Sequence, residues 1–286
     1  MAVRVTRDES SDGDATDFLR LVDEMAVEEI ARLSRSPEMF GMALSSMLSR
    51  AAAHCLNDAA ADRSVTWEAW TAAMQVGSAL FEAATTSEGQ VECLIAHEVR
   101  RIPAVAPSHF TDAGNWLTAL WLAVICREQG RVAELARVPV DLLRESGAVY
   151  DEYIYSWVGA LQSYFTEGPE LGERLVAAFR GTSPEEIRVA PRELLLKVLY
   201  PPLNLFLRFI QRDQEQFNAA LVEGLQLHKE YWTGSEERRE STDGAVPLGL
   251  LAIACLAYDV GMRVEVDSEY LPKHLLERSW LGEFPT

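Results

Sequence analysis

Five histidines, four cysteines and several adjacent carboxylates are the side chains through which this 286-residue chain could do chemistry. A zinc site on a helix needs two histidines one turn apart and a third ligand nearby. His54, His97, His109, His228 and His274 form no HExxH, and no two share a ligand spacing with a carboxylate on one helix face. His97 is followed by Glu98, but neighbouring helix positions point apart. His228 lies on an amphipathic stretch and reads as a satisfied, half-buried residue. The pairs Asp23-Glu24, Glu28-Glu29 and Asp151-Glu152 invite comparison with helical enzymes that hold a metal cluster between aspartates of two helices. The partner motif is missing, so these pairs read as solvated helix faces. Cys55, Cys93, Cys126 and Cys255 form no CxxC and each lies in an apolar helical stretch, as free buried thiols in a reducing compartment do. There is no phosphate-binding glycine loop and no GxSxG elbow. No residue is nominated for catalysis, cofactor binding or metal ligation, and the chain is expected not to be an enzyme.

Binding chemistry has more to work with. Seven tryptophans and eight tyrosines are many for a chain without a ligand motif, and Trp116, Trp121 and Trp157 fall at core spacing. Tyr231 and Trp232 instead close a helix just before the acidic pair Glu236-Glu237. Aromatic side chains beside charge are what interface hot spots are made of, so these four are the candidate partner-binding residues. The formal net charge is −18 with a pI near 4.7. Such a surface serves solubility, repels nucleic acid and anionic lipid, and favours a basic partner.

The elements that must position these residues are helices. Ile154, Trp157, Val158, Leu161, Tyr164 and Phe165 recur at three- and four-residue steps, as do Phe217, Leu221, Leu225, His228 and Trp232. Alternating strand patterns are almost absent. Met262–Val266 is the one stretch expected to be extended. A loose repeat pairs an apolar helix, a polar turn and a second helix: Met74–Phe81 with Val91–Val99, Trp116–Cys126 with Val132–Ala136, and Ile154–Phe165 with Leu171–Phe179. The turns carry Gly89, Gly130 and Gly168, about 40 residues apart, near the length of one helical hairpin of an α-solenoid. Glycine suits a left-handed helix C-cap. Thr182-Ser-Pro184 before Glu185-Glu186 reads as a capped helix start, and Tyr200-Pro-Pro202 as the end or kink of a helix. Thr233–Ala245 is the long polar surface loop. The fold class is therefore all-α, an irregular array of helical hairpins with one short C-terminal β element. Residues 1–17 are expected as a mobile acidic arm and 18–286 as a single helical domain. No secretory signal core is present, and the longest apolar stretches, Trp116–Cys126 and Pro247–Tyr258, are short for a bilayer, so a cytoplasmic location without membrane contact is expected.

From Tyr231 onward a more specific pattern appears. Glu230-Tyr231-Trp232 is followed by the small-residue apolar run Pro247-Leu-Gly-Leu-Leu-Ala-Ile-Ala-Cys-Leu-Ala-Tyr258-Asp259 and then Gly261. Val264-Glu-Val266, Glu269-Tyr270-Leu-Pro272 and Leu275-Leu276 complete it. This block, about a fifth of the chain, resembles the immunity protein 49 family of bacterial polymorphic toxin systems. The resemblance implies a mainly helical antidote made beside a toxin, whose task is to neutralise that toxin by stoichiometric binding and occlusion. A toxin, basic if the charge is used in recognition, is the partner it implies. Tyr258, Asp259, Gly261, Tyr270 and Pro272 form the motif and are assigned to holding the fold: Gly261 permits a turn, and Asp259 is placed to cap the segment after it. A tetratricopeptide-like scaffold that carries peptides in a groove is the alternative the helical repeat leaves open.

Overall fold

The computed structural model describes residues 3–7, 15–283 and 285–286. In chain order the elements are β1 (Val3–Arg4), α1 (Ala15–Arg32), α2 (Phe40–Asn57), α3 (Ser64–Thr85), β2 (Gln90–Ile95), β3 (Glu98–Pro103), α4 (Ala113–Ile125), α5 (Gln129–Leu135), α6 (Val140–Glu145), α7 (Tyr153–Phe165) and α8 (Leu171–Gly181). They continue with α9 (Arg192–Leu194), a π-helical stretch (Leu195–Leu199), α10 (Tyr200–Ile210), α11 (Gln214–Trp232), α12 (Glu236–Glu240), α13 (Leu248–Asp259), β4 (Val266–Asp267) and α14 (Lys273–Leu276). The molecule is predominantly helical with small β elements, as the periodicity requires.

At the centre stands α3, apolar nearly all round and buried along most of its length, as a helix without a polar face must be. It packs on α2, α4 and the β2–β3 hairpin. Gly77 sets the α3–α4 approach: a Cβ there would lie 3.1 Å from the Cβ of Ala119. Beyond them come the helical hairpins α7–α8 and α10–α11, and α13 returns to pack on both α4 and α10. Its buried Leu250, Leu251, Ile253, Ala254 and Cys255 join one core with α3 and α4. One 18-residue window among the described residues, Thr242–Asp259, has a mean hydropathy of 1.2 and so is apolar enough to cross a membrane. Most of it is α13, a core helix here.

The repeat lies in the turns more than in the glycines. After α4, α7, α10 and α13 the chain takes one left-handed residue, at Arg127, Glu167, Arg212 and Gly261. Each turn closes alike: the next amide donates back across the turn, Glu128 to Ala123 O, Gly168 to Ser163 O, Asp213 to Arg208 O and Met262 to Ala257 O. This is the Schellman closure of a helix C-terminus. Only Gly261, at φ +80°, supplies the residue type the position favours. Gly130 sits inside α5 and Gly168 one residue past the left-handed position, so the glycine spacing marks the right turns through the wrong residues.

Several expectations need correction. Val91–Val99 is not a helix; it spans β2 and the start of β3, an antiparallel hairpin that pairs Val91 with Ile102 and Ile95 with Glu98. Val91, Cys93 and Ile95 alternate toward the core while Gln90 and Glu92 face out. The two-residue turn, Ala96 and His97 at φ +51° and +66°, has the handedness that tight hairpins need, without the usual Asn or Gly. Thr182–Glu186 forms turns and no helix, because Asp151 draws the backbone of residues 188–190 across to itself. Pro201 and Pro202 lie in the first turn of α10, directly after the π-helical stretch Leu195–Leu199, so the helical run is interrupted there and not ended. The polar loop after Trp232 contains the short helix α12, N-capped by the Ser235 side chain.

Over residues 3–7 the expected mobile arm is docked. β1 pairs in parallel with β4, Val3 opposite Val266, and Val5 is buried. Arg7 donates to the carbonyls of Cys55 at 3.1 Å, Ala245 at 2.9 Å and Glu269 at 2.5 Å, and its guanidinium lies 5.5 Å from the Tyr270 ring centroid. The remainder of 1–14 lies outside the described residues, and α1 begins at Ala15, inside the span expected for the arm. The extended segment expected at Met262–Val266 contributes only Val266 to β4.

Candidate binding cleft

A cleft of about 530 Å³ opens between the α4–α7 wall and the C-terminal helices. Its apolar floor comes from distant parts of the chain: Leu117 and Trp121 on α4, Ile154 and Trp157 on α7, Pro202 on α10 and Leu250 on α13. Trp121 and Trp157 are placed by the helical periodicity that also buries them; their ring centroids lie 6.2 Å apart, and Phe206 meets Trp157 edge-on at 5.2 Å. Val149, 75% exposed, and Val189, 47% exposed, carry the apolar lining out to the mouth.

Polar groups brace this cleft. Asp151, just before α7, accepts the backbone N–H of Arg188 at 2.6 Å, Val189 at 2.9 Å and Ala190 at 2.8 Å, which fixes one lip. Burial would push its carboxyl up, but the three N–H groups hold it below the ordinary carboxylate range. The Tyr150 hydroxyl donates to Asp112 at 2.5 Å, and Asp112 caps α4 through the amides of Gly114 and Asn115. Burial and that carboxylate push the phenol up. His228 is buried beneath the other lip and pairs through Nε2 with Gly244 O at 2.9 Å; burial pushes its imidazole down to about 4. Lys197 at the rim is held by Glu193 at 3.3 Å and Glu230 at 3.5 Å.

One donor in the cleft lining is left over. Trp121 and Trp157 are 5% and 3% exposed, yet their indole nitrogens are not among the buried unpaired atoms of the described residues, because the cleft leaves them open to water. Trp121 Nε1 lies 3.5 Å from where a Cβ on Gly249 would stand, so it faces the gap that this glycine leaves in the cleft wall. Trp232 Nε1, by contrast, is buried and has no partner among the described residues. Burying such a donor unmet costs about 1–3 kcal/mol.

The nominated residues fall in different places. Trp232 lines the cleft and packs over Gly244, where a Cβ would come within 2.9 Å of it. Tyr231 is half-buried and covered by the Arg238 guanidinium, 3.9 Å from its ring centroid. Glu236 and Glu237 are exposed in the first turn of α12 and do not line the cleft. Asp259 accepts from Arg127 Nε at 3.0 Å instead of capping the segment after it. The same guanidinium donates to the carbonyls of Ile125 and Leu275, both at 2.7 Å, and Leu276 at 2.6 Å, joining the α4 turn to the C-terminal segment. Tyr258 is 37% exposed and faces outward, so it does not share in this. Tyr270 is buried against His228, centroids 5.2 Å apart, and Pro272 precedes α14. The four cysteines are free and buried; burial pushes Cys55 and Cys93 up to about 12 and Cys255 to about 11, so none is a ready nucleophile.

Sequence reasoning missed the cleft itself, including Trp121, Trp157, Val149, Val189 and Asp151. The tryptophans fit a core helix equally well, and the two valines carried no periodic signal.

A family model described as immunity protein 49 matches residues 58–275. The match runs from α3 into α14, so the likeness extends well beyond the C-terminal block from Tyr231 and includes every wall of the cleft except α2. No curated protein and no solved structure matches the chain.

Proposed function

The chain belongs to the immunity protein 49 family, and on that premise we propose that it neutralises a toxin made beside it by binding it one to one and covering its working surface. It acts by occupancy and not by catalysis, in the cytoplasm of the producing cell. The observation that carries this reading is the family match over most of the chain. The cleft supports it: its reachable features are apolar surface and hydrogen-bond donors, the materials of recognition. The net charge of −18 adds long-range attraction if the toxin is basic.

The test is co-expression with the product of the adjacent gene. A complex of one copy of each that survives size-exclusion chromatography, and a host that survives the toxin only when this chain is present, are the expected results. Absence of both a complex and protection would overturn the proposal.

A further inference from the structure

The β2–β3 hairpin leaves one edge of its sheet open. Ala104 N–H donates to Gly89 O at 2.9 Å, just beyond the ladder that pairs Val91 with Ile102, Cys93 with Arg100 and Ile95 with Glu98. Antiparallel partners exchange hydrogen bonds at every second position. Glu98, Arg100 and Ile102 therefore turn their backbone groups toward β2. Val99 and Arg101, set between them, turn theirs to the outer edge, where no group among the described residues meets them. β2 packs against α3, and β3 is the outer strand. Exposed edges are usually blunted by lysine, by proline or by a bulge. The run Glu98–Ile102 has none of the three. Its two arginines are not loose charges: Arg100 is held by Glu98 at 2.8 Å and Arg101 by Glu92 at 2.9 Å. Val99 stands 68% exposed on the outer face. On the other face, Val27 of α1, 71% exposed, lines one small hollow together with Glu98 and Arg100.

Outward backbone groups on an extended strand are completed by another strand, and the charges on β3 say which. We infer that β3 pairs antiparallel with β3 of a second copy of this chain, about a two-fold axis at Val99, making a four-stranded sheet across two molecules. Three registers let the outward groups of Val99 and Arg101 bond across such an axis. With Arg101 opposite Arg101, like charges meet. With Val99 opposite Arg101, the two copies of Arg100 face each other. With Val99 opposite Val99, Glu98 of each copy stands opposite Arg100 of the other, and the two exposed valines come together. Opposite charges directly across a sheet stabilise it and like charges destabilise it. The Glu-Val-Arg order of the strand thus selects both its own copy and the register. The contact is isologous and closes at two molecules, because it uses the β3 edge of both.

The experiment is sedimentation of the full chain over a concentration series, with oxidative cross-linking of cysteine variants; the four native thiols are buried and do not compete. The chain should show a concentration-dependent monomer–dimer equilibrium. Val99→Cys should give a disulfide-linked dimer, since hydrogen-bonded partners stand about 5.5 Å apart at Cα, within disulfide reach. Arg101→Cys should give little, and so should Val149→Cys, at a 75% exposed position by the cleft. Glu98→Arg should weaken the dimer by about 10-fold, and Glu98→Arg with Arg100→Glu should restore it. Val99→Pro removes an outward N–H that the hairpin itself does not use, and should abolish the dimer with little change in urea midpoint. A chain that stays monomeric throughout, a dimer untouched by Val99→Pro, or one that cross-links through Arg101→Cys in place of Val99→Cys would overturn the inference. So would a monomer that binds toxin and loses it in Val99→Pro, since the edge would then serve the toxin. If Val99→Pro fails to fold, the cross-link and the charge exchange still decide.

Discussion

Replacing Asp151 by Asn changes one oxygen to an amide nitrogen and leaves volume and shape nearly intact. In the native structure Oδ1 accepts from Arg188 and Val189, and Oδ2 accepts from Ala190. Asparagine can keep its oxygen toward the first two amides, but its NH₂ then meets the N–H of Ala190, donor against donor. Rotating the amide exchanges one mismatch for two. The variant therefore loses one charge-assisted bond outright and the charge from two more. Bonds to an ionised acceptor are worth about 1.5–3 kcal/mol net. Val189 is exposed and Ala190 half-buried, so freed amides recover water, and the loss should fall near the lower end, about 2–3 kcal/mol at pH 7. The native carboxyl is held below its ordinary value, so its contribution is complete above about pH 4 and is lost as pH falls through the native value. Urea unfolding of both proteins at pH 7 and pH 3 should thus show a gap that closes in acid, with amides 188–190 exchanging faster in the variant at pH 7. A gap under about 0.5 kcal/mol at pH 7, or one equally large at pH 3, would overturn this account of the lip.

His228, pushed down to about 4, stays neutral in the native state while the unfolded chain takes a proton at about 6.5. Its share of stability is complete above that value and falls as pH drops toward 4, so its ring resonances should not titrate between pH 8 and 5, and a midpoint near 6.5 would contradict the burial. Arg127→Lys removes the planar fork that reaches Asp259 and three carbonyls, and should cost about 3 kcal/mol in urea unfolding; an unchanged midpoint would show the cluster contributes nothing. Gly261→Ala, at φ +80° with open space where the Cβ would stand, should cost about 1 kcal/mol of strain alone, and a stabilised variant would count against the Schellman reading. Glu236→Lys with Glu237→Lys should slow toxin association at low salt while leaving dissociation and folding unchanged, since both side chains are solvated; faster dissociation would place them inside the contact.

Much of the architecture is local and therefore legible in the residues. Ala43, Leu44, Met47, Ala51 and Cys55 recur at helical steps and define the buried face of α2, and the apolar run 248–259 defines α13. Each pattern is written within one element, as is the buried thiol state of the cysteines. The β2–β3 hairpin shows where that stops. Val91, Leu94, Ile95 and Val99 satisfy a helical period, while Val91, Cys93 and Ile95 satisfy a strand period, and a turn of Ala96-His97 gives no signal. Packing against α3 chooses the strand. Trp232 is the same problem at a single side chain: its helix ends beside acidic residues whether the ring faces a partner or the cleft, and the approach of Gly244 turns it inward. The cleft needed tertiary structure altogether, because Trp121, Trp157, Pro202 and Leu250 come from four helices whose spacing in the chain carries no trace of their meeting. Helices and core faces are set within short stretches of residues; which faces close on one another comes from long-range packing that no local period encodes.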